Sequence, residues 1–190
     1  MPAVRIRTER LWLRPFATAD ADRLDALFAL PEIRRFLLDD RVMPRAWIEA
    51  EIRSSQVSFE SRGWGLFCIT LEETGPAVGF TGYREFQQPP VPELLYGLDP
   101  SHWGRGLARE ASGAALRYGA ETLGLDPLRV SLDAPNQASH GLALRLGFRE
   151  VRRSPGPVHE QVHLELARRA FVPDGGPFEL HREPSSGSGG

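Results

Sequence analysis

Lysine is absent from this sequence, and cysteine occurs only once. All 23 basic residues of the 190-residue chain are therefore arginines. A P-loop needs a Gly-Lys-Ser or Gly-Lys-Thr step, so the absence of lysine excludes that class of phosphate site. The single cysteine, Cys68, excludes an intramolecular disulfide and any metal site built from several cysteines. It lies in the apolar run 66–69, which favours a buried, unreactive thiol over a nucleophile.

Long hydrophobic runs and an excess of one charge are missing as well. No stretch approaches the ~20 apolar residues of a membrane span, and the first residues lack the apolar core of a signal peptide. The 25 acidic residues nearly balance the arginines and leave a net charge of −2, which argues against a nucleic-acid footprint. We therefore expect a cytoplasmic monomer or homodimer that binds neither membranes nor nucleic acids.

Hydrophobic periodicity alternates between helical and strand patterns along the chain, which indicates a mixed α/β (α+β) fold. Helices are predicted after residue 18 and at residues 44–61, 107–123 and 136–146. Strands are predicted at residues 10–15, 64–71, 77–86, 93–98, 128–133, 148–152 and 161–166, the pair around residues 72–76 forming an antiparallel hairpin. Residues 1–172 are predicted to form a single domain, and residues 173–190, poor in apolar side chains, a disordered tail.

A predicted strand that runs through a glycine-bearing turn into a helix is the most informative segment. Gly104 and Gly106 lie in the turn, and Leu107 opens the helix. The free N–H groups and positive dipole end of such a helix attract anions, and glycines let a phosphate approach the backbone. The glycines do not form G-x-G-x-x-G, so no dinucleotide fingerprint is present. Taken alone, the pattern is equally explained by turn glycines and tight helix packing.

A second motif, residues 136–148, narrows the interpretation of the glycine-bearing turn. Residues 103–108 and 136–148 together resemble motifs A and B of the GNAT N-acetyltransferases. The opening at 10–15 and the spacing of Asn136 and Ser139 resemble the RimJ/RimL branch, the ribosomal-protein alanine N-acetyltransferases. The resemblance covers about residues 8–166. It implies the GNAT fold, a mixed and mostly antiparallel sheet of about six or seven strands flanked by helices and splayed in the middle to hold acetyl-CoA, with no metal.

The resemblance also implies which residues hold acetyl-CoA. The family's phosphate loop reads Gln/Arg-x-x-Gly-x-Gly/Ala, and Trp103 replaces its polar first position here. Because that loop binds through backbone amides, phosphate binding is expected to survive the change. The implied contacts are Gly97, Leu98, Asp99, Trp103, Gly104, Arg105, Gly106, Leu107, Ala108, Asn136 and Ser139.

Acetyl transfer from acetyl-CoA to a primary amine, on a protein N-terminus or a small molecule, needs a group that takes the ammonium proton. Two carboxylates are candidates: Glu160, before the last strand, is slightly preferred over Glu93, at the start of the splayed strand. Either could instead be a solvated charge at a strand end. Many family members use a motif B tyrosine to assist the leaving thiolate, and Ala143 stands at its position. Ser139 is the available substitute, unless it only hydrogen-bonds around the Asn136 cap.

The missing tyrosine and Trp103 leave a second function open, a non-catalytic acyl-CoA-binding or regulatory module. His159 and His163 share a face, but no third ligand is evident, so a metal site is not expected. If the first helices recognise the acceptor, the walls of the acceptor site would be aromatic and its rim would be negatively charged. The candidates are Phe36, Trp47 and Trp64, with Asp39 and Asp40 as the rim.

Overall fold

The computed structural model describes residues 4–86 and 90–182 of the chain. The strands are β1 (Val4–Arg7), β2 (Trp12–Pro15), β3 (Leu66–Thr70), β4 (Gly79–Phe86), β5 (Val91–Leu98), β6 (Leu128–Asp133), β7 (Arg149–Ser154), β8 (Gln161–Leu166) and β9 (Glu179–Arg182). The helices are α1 (Ala21–Ala29), α2 (Pro31–Leu37), α3 (Arg45–Arg62), α4 (Leu107–Arg117) and α5 (Gln137–Arg145).

The strands form two sheets that meet at a split. One is six-stranded in the order β5-β4-β3-β2-β1-β9, and the other is three-stranded in the order β6-β8-β7. Every recorded pair is antiparallel, including the predicted β3–β4 hairpin. Strands β5 and β6 run next to each other, yet in the described part of the chain they are not hydrogen-bonded as a pair. The predicted α/β architecture with a splayed, mostly antiparallel sheet is confirmed.

A shared apolar core holds the two sheets together. Tyr83 and Leu94 of the large sheet and Val130 and Leu164 of the small sheet belong to one buried cluster. In β6 the residues Leu128, Val130 and Leu132 alternate with polar ones, so one face of that strand is apolar and the other faces polar surroundings. The alternation explains why the bounds of β6 were predictable.

Helices cover both faces of the large sheet. On one face α1 and α3 pack Leu24, Ile48 and Ile52 against Phe80. On the other face Leu107 and Ala111 of α4 pack against the sheet. The predicted second helix, 44–61, corresponds to α3, which ends at Gly63 with a φ of 79°. That left-handed conformation suits glycine and closes the helix.

Two predictions about helices and the tail are wrong in part. The helix predicted at 107–123 ends as an α-helix at Arg117 and continues as a π-helical turn, Tyr118–Thr122. The tail predicted to be disordered contains β9, which pairs with β1, while Phe178 and Leu180 pack onto the core. Pairing satisfies the open edge of β1, which explains the order. Residues 183–190 lie outside the described residues. Helix α2 and strand β1 were not predicted.

No helix of the described ranges is both long and apolar enough to cross a membrane.

Candidate active site

A cavity of about 770 Å³ occupies the split between β5 and β6. Its volume lies in the range of sites that hold drug-sized ligands. Residues 94–98 of β5 form one wall and residues 130–133 of β6 the opposite wall, while α2, α4 and α5 close its ends. Since β5 pairs only with β4 among the described strands, its other edge keeps backbone donors and acceptors available to a ligand.

The first turn of α4 opens onto this cavity. Gly104 and Gly106 have φ values of 72° and 76°, so both need the left-handed freedom of glycine. Gly106 is the N-cap, and no side chain among the described residues caps the helix there. The N–H groups of Leu107 and Ala108 therefore lack intrahelical partners, and both residues line the cavity. This end of the cavity suits an anion such as a phosphate.

Trp103 ties this loop to the end of β5. Its indole N–H donates to the carbonyl of Leu98 at 2.7 Å, while half of the residue remains exposed. Gly97, Leu98 and Trp103 all line the cavity. The tryptophan that departs from the family's loop pattern thus supplies a partner for a carbonyl at the split, a role the sequence did not suggest.

Asp99 and Arg105 do not line the cavity, although both were predicted to contact the ligand. The Asp99 carboxylate accepts hydrogen bonds from Ser101 and from Arg23, which lower its pKa to about 2. The backbone carbonyl of Arg105 accepts a hydrogen bond from Arg10 at 2.8 Å. In the described structure, the hydrogen bonds of the Asp99 carboxylate and the Arg105 carbonyl stabilise the loop outside the cavity lining.

The start of α4 is also anchored by the turn between β1 and β2. Glu110, in the first turn of the helix, accepts hydrogen bonds from Thr8 and from the backbone and guanidinium of Arg10. The Arg10–Glu110 ion pair measures 2.6 Å. Arg10 also donates to the Arg105 carbonyl, so the glycine turn is hydrogen-bonded to the large sheet. These contacts pre-order the N-terminus of α4.

Asn136 and Ser139, at the start of α5, line the cavity. The Asn136 side-chain oxygen accepts the backbone N–H of Ser139 at 3.1 Å, so the cap is formed with the Ser139 backbone and not with its hydroxyl. The Tyr96 hydroxyl on β5 donates to the Ser139 carbonyl at 2.9 Å. This bond bridges the split and was not predicted. Burial raises the pKa of Tyr96, which keeps the phenol protonated as a donor.

Two further residues bear on the fit of a long ligand. Ala143, at the position of the family's tyrosine, is fully buried in the core and does not line the cavity. The hydroxyl of Ser112 is buried, lines the cavity, and has no hydrogen-bond partner among the described residues. A cavity with an anion-binding end, an open strand edge and an orphaned hydroxyl fits an extended acyl-CoA.

The two candidate carboxylates have different surroundings. Glu93 on β5 is 1% exposed, whereas the side chain of Glu160 is 51% exposed and pairs with Arg153 at 2.9 Å. Neither residue lines the cavity. Asp133, at the end of β6, does line it and is a carboxylate that was not predicted. Burial raises the pKa of Asp133; His159 lowers it and Asp39 raises it.

The predicted aromatic wall is only partly present. Phe36 of α2 lines the cavity and its ring lies 6.2 Å from that of His159. Trp47 and Trp64 do not line it: Trp47 packs edge-on against Phe28, and Trp64 belongs to the core. Asp40 pairs with Arg34, and Asp39 with Arg41.

Cys68 is fully buried, and burial raises its pKa, so the expected unreactive thiol is found. Within residues 4–86 and 90–182, no cluster of three or more metal-ligating side chains is present.

Comparisons with known proteins agree with this geometry. The acetyltransferase (GNAT) domain family matches residues 10–149. The "Uncharacterized N-acetyltransferase YoaA" of Bacillus subtilis is 29% identical over 149 residues, 76% of this chain and 82% of that protein.

Solved structures share the fold. An acetyltransferase from Agrobacterium tumefaciens superposes with a TM-score of 0.74 at 29% identity, covering 85% of this chain and 93% of that one. The RimL ribosomal L7/L12 α-N-protein acetyltransferase, solved with coenzyme A, has a TM-score of 0.71 at 16% identity, covering 84% of this chain and 95% of its own. The chain therefore belongs to the acetyltransferase (GNAT) family and is an acetyl-CoA-dependent acyltransferase.

Proposed function

We propose that the chain transfers the acetyl group of acetyl-CoA directly to a primary amine, on a protein N-terminus or a small molecule. One observation carries this proposal: a single cavity connects the N-terminus of α4, the open edge of β5 and the start of α5. Both substrates can therefore meet in one site, as a direct transfer requires.

Within this cavity, the backbone N–H groups of Gly106, Leu107 and Ala108 bind the pyrophosphate. Since the Leu98 carbonyl already accepts the Trp103 indole N–H, the pantetheine hydrogen-bonds the remaining backbone groups of Gly97 and Leu98 that face the cavity. This arrangement is supported by the positive φ values of the turn and by the absence, among the described strands, of a partner on the outer edge of β5. Asn136 and Ser139 lie across the split from that strand and complete the site.

The amine enters as an ammonium ion and must lose a proton before it attacks the thioester. Asp133 supplies negative charge to the cavity wall, which favours the cationic form during binding. A backbone N–H on the open edge of β5 stabilises the oxyanion of the tetrahedral intermediate. The Ser139 hydroxyl, which the Asn136 cap leaves free for other contacts, donates to the departing thiolate.

The carboxylate that assists the loss of the amine's proton is Glu93 or Glu160. Glu93 is the better supported of the two, since it is buried on the strand that forms the cavity wall. The exposure of Glu160 and its ion pair with Arg153 both favour a surface charge. Because Glu93 is not itself a lining residue, it would act on the amine's proton through an intervening group.

Release of CoA thiol from acetyl-CoA, measured against a panel of small amines and peptides with free N-termini, tests the proposal. Turnover with at least one amine, together with acetylated product by mass spectrometry, is expected. Tight acetyl-CoA binding by calorimetry with no turnover across the panel would support the non-catalytic acyl-CoA-binding module instead.

A further inference from the structure

We propose that Ser131 and His163 form a proton relay that carries the acceptor amine's proton out of the cavity. The proposal rests on the proposed function, since it names how the acceptor amine loses its proton. Ser131 lines the cavity on β6, and His163 lies behind it on β8. Neither residue was expected to take part in the reaction from sequence.

A continuous hydrogen-bond chain joins these residues. The Ser131 hydroxyl lies 2.7 Å from Nδ1 of His163, and Nε2 of the same ring lies 2.7 Å from the Ser154 hydroxyl on β7. His163 is 7% exposed. Ser131 and His163 are direct register partners in the β6–β8 pair, so the sheet itself fixes their distance. A buried imidazole with both nitrogens engaged is held in one orientation, and the relay uses the tautomer in which Nδ1 accepts from Ser131 and Nε2 donates to Ser154.

The relay explains how buried Glu93 could influence a cavity it does not line. Leu128, Val130 and Leu132 of β6 belong to the core, so Ser131 projects from the opposite face, the same face as Asp133. The Glu93 carboxylate acts electrostatically on His163 and favours its cationic form. Glu93 is thus a positioning residue that stabilises the ring once it has received a proton.

The charges around His163 set its protonation at rest. Burial lowers the pKa of His163 from its ordinary value of 6.5, Arg152 on β7 lowers it further, and Glu93 on β5 raises it. On β6 and β8 the neighbouring Arg129 and Glu165 form an ion pair at 2.9 Å. Asp133 is the next residue on the Ser131 face of β6. At neutral pH the ring is therefore neutral and able to accept a proton.

The hydrogen bonds provide a path for one proton of the ammonium ion. Ser131 Oγ takes a proton from the ammonium ion while its own hydroxyl proton moves to Nδ1 of His163, which becomes imidazolium. The amine keeps its electron pair, forms the C–N bond to the acetyl carbon, and the C–S bond breaks with the electrons on sulfur. The second proton of the amine passes to the thiolate, which leaves as the CoA thiol. His163 later releases its proton to solvent.

The pH profile of kcat/KM tests the relay, with 2-phenylethylamine and an alanyl peptide as acceptor probes. His163→Gln and Ser131→Ala should each lower kcat/KM at pH 7 about 10²-fold, with much of the loss recovered at pH 9.5 as free amine accumulates. The double variant should lose no more than either single one, because the two residues act as a unit. Ser131→Thr keeps the hydroxyl and should rescue most of the kcat/KM that Ser131→Ala loses. His181→Gln, on the outer strand β9, is the matched control.

Wild-type pH profiles in Ser131→Ala and His163→Gln, or multiplicative losses in the double variant, would overturn the relay. Unchanged acetyl-CoA affinity and melting temperature separate a proton-transfer defect from misfolding.

Histidine NMR titration tests the relay without any acceptor. The His163 ring should titrate below pH 6.5 in the wild type, and lower still in Glu93→Gln. Ser131→Ala should shift the Nδ1 resonance. A ring that is protonated at pH 7, or one that is insensitive to Ser131→Ala, overturns the relay. If no amine is acetylated while these shifts occur, the result counts against the proposed function alone.

Discussion

The indole of Trp103 donates its N–H to the backbone carbonyl of Leu98 at 2.7 Å, joining the glycine turn to the strand that borders the split. The bond gives the turn a fixed position relative to the exposed edge of β5. A ligand that spans the turn and the strand therefore contacts two segments whose relative position is fixed by this hydrogen bond.

Trp103→Phe should raise the acetyl-CoA dissociation constant about 3- to 10-fold, since one hydrogen bond of about 0.5–1.5 kcal/mol is lost while the ring is kept. Isothermal calorimetry measures the change. Trp12→Phe is the control, because Trp12 lies on β2 beside Arg7 and His181, away from the cavity, and should bind as wild type. Equal affinities for the two variants would contradict the role of the indole.

Gly106→Glu should abolish acetyl-CoA binding and leave the fold intact, because a carboxylate there occupies and repels the phosphate position. Gly106→Ala carries the same left-handed strain, about 1–2 kcal/mol, without the charge. A Cβ at this position meets only the Arg10 guanidinium, at an ordinary 3.5 Å. Calorimetry and circular dichroism on both variants provide the measurement. Full affinity in folded Gly106→Glu would remove this turn from the phosphate site.

Ser139→Ala should lower kcat about 10- to 10³-fold with little change in the KM for acetyl-CoA, as expected for a group that acts in the transition state. Because the cap uses the Ser139 backbone, this variant should melt like wild type. Asn136→Ala removes the cap and should instead cost about 1 kcal/mol of stability. Pre-steady-state kinetics first exclude product release as the slow step. Wild-type kcat in Ser139→Ala would leave the hydroxyl without a catalytic role.

Glu93→Gln should lower kcat/KM at neutral pH, with partial recovery at high pH, while Glu160→Gln should stay close to wild type. The physical reason is that Glu93 is buried beside the cavity wall, whereas Glu160 is exposed and paired with Arg153. Parallel pH profiles of the two variants decide between them. The reverse result would make Glu160 the carboxylate on which deprotonation of the amine depends.

Asp20→Asn should lower the free energy of unfolding by about 3–5 kcal/mol at neutral pH, because it leaves Arg14 without its buried partner. Burial opposes ionisation of Asp20, but hydrogen bonds from Arg14 and from the Ala17 backbone lower its pKa below the ordinary 3.8. A carboxylate with a lowered folded pKa stabilises the protein above its unfolded pKa, and this stability is lost as the pH falls below it. Urea unfolding at pH 7 and at pH 3 should show the difference from wild type shrinking. A gap that is independent of pH would contradict the ion pair.

Much of the fold was predictable where a strand or helix carries its own pattern. Strands β6 and β8 were predicted with their observed bounds, because apolar residues alternate along β6 and buried residues dominate β8. Strands β1 and β9 have four residues each and stabilise one another across the length of the chain, so neither shows a local signal. Helix α2 has seven residues and follows α1 after one residue, and only Ile33 is buried, which leaves little periodicity to detect.

In the site, too, features with a local sequence signal were predictable and the others were not. The glycine turn and the Asn136 cap are local motifs, and the structure places both at the cavity. The contacts of Ser131 with His163 and of Tyr96 with Ser139 join residues far apart in sequence. They depend on strand register and on the width of the split, which one sequence does not reveal. The preference for Glu160 over Glu93 rested on motif position alone, without knowledge of which carboxylate is buried.

The split between β5 and β6 also affects the rigidity of the molecule. Side chains such as Tyr83 and Leu94, packed against Val130 and Leu164, join the two sheets, while no backbone ladder crosses between the described strands there. An extended ligand in the gap would act as a removable strand that restores continuity between them. At a concentration 100 times its dissociation constant it would add about 2.7 kcal/mol to stability. Loading with cosubstrate would therefore stiffen the region that must hold the acceptor still.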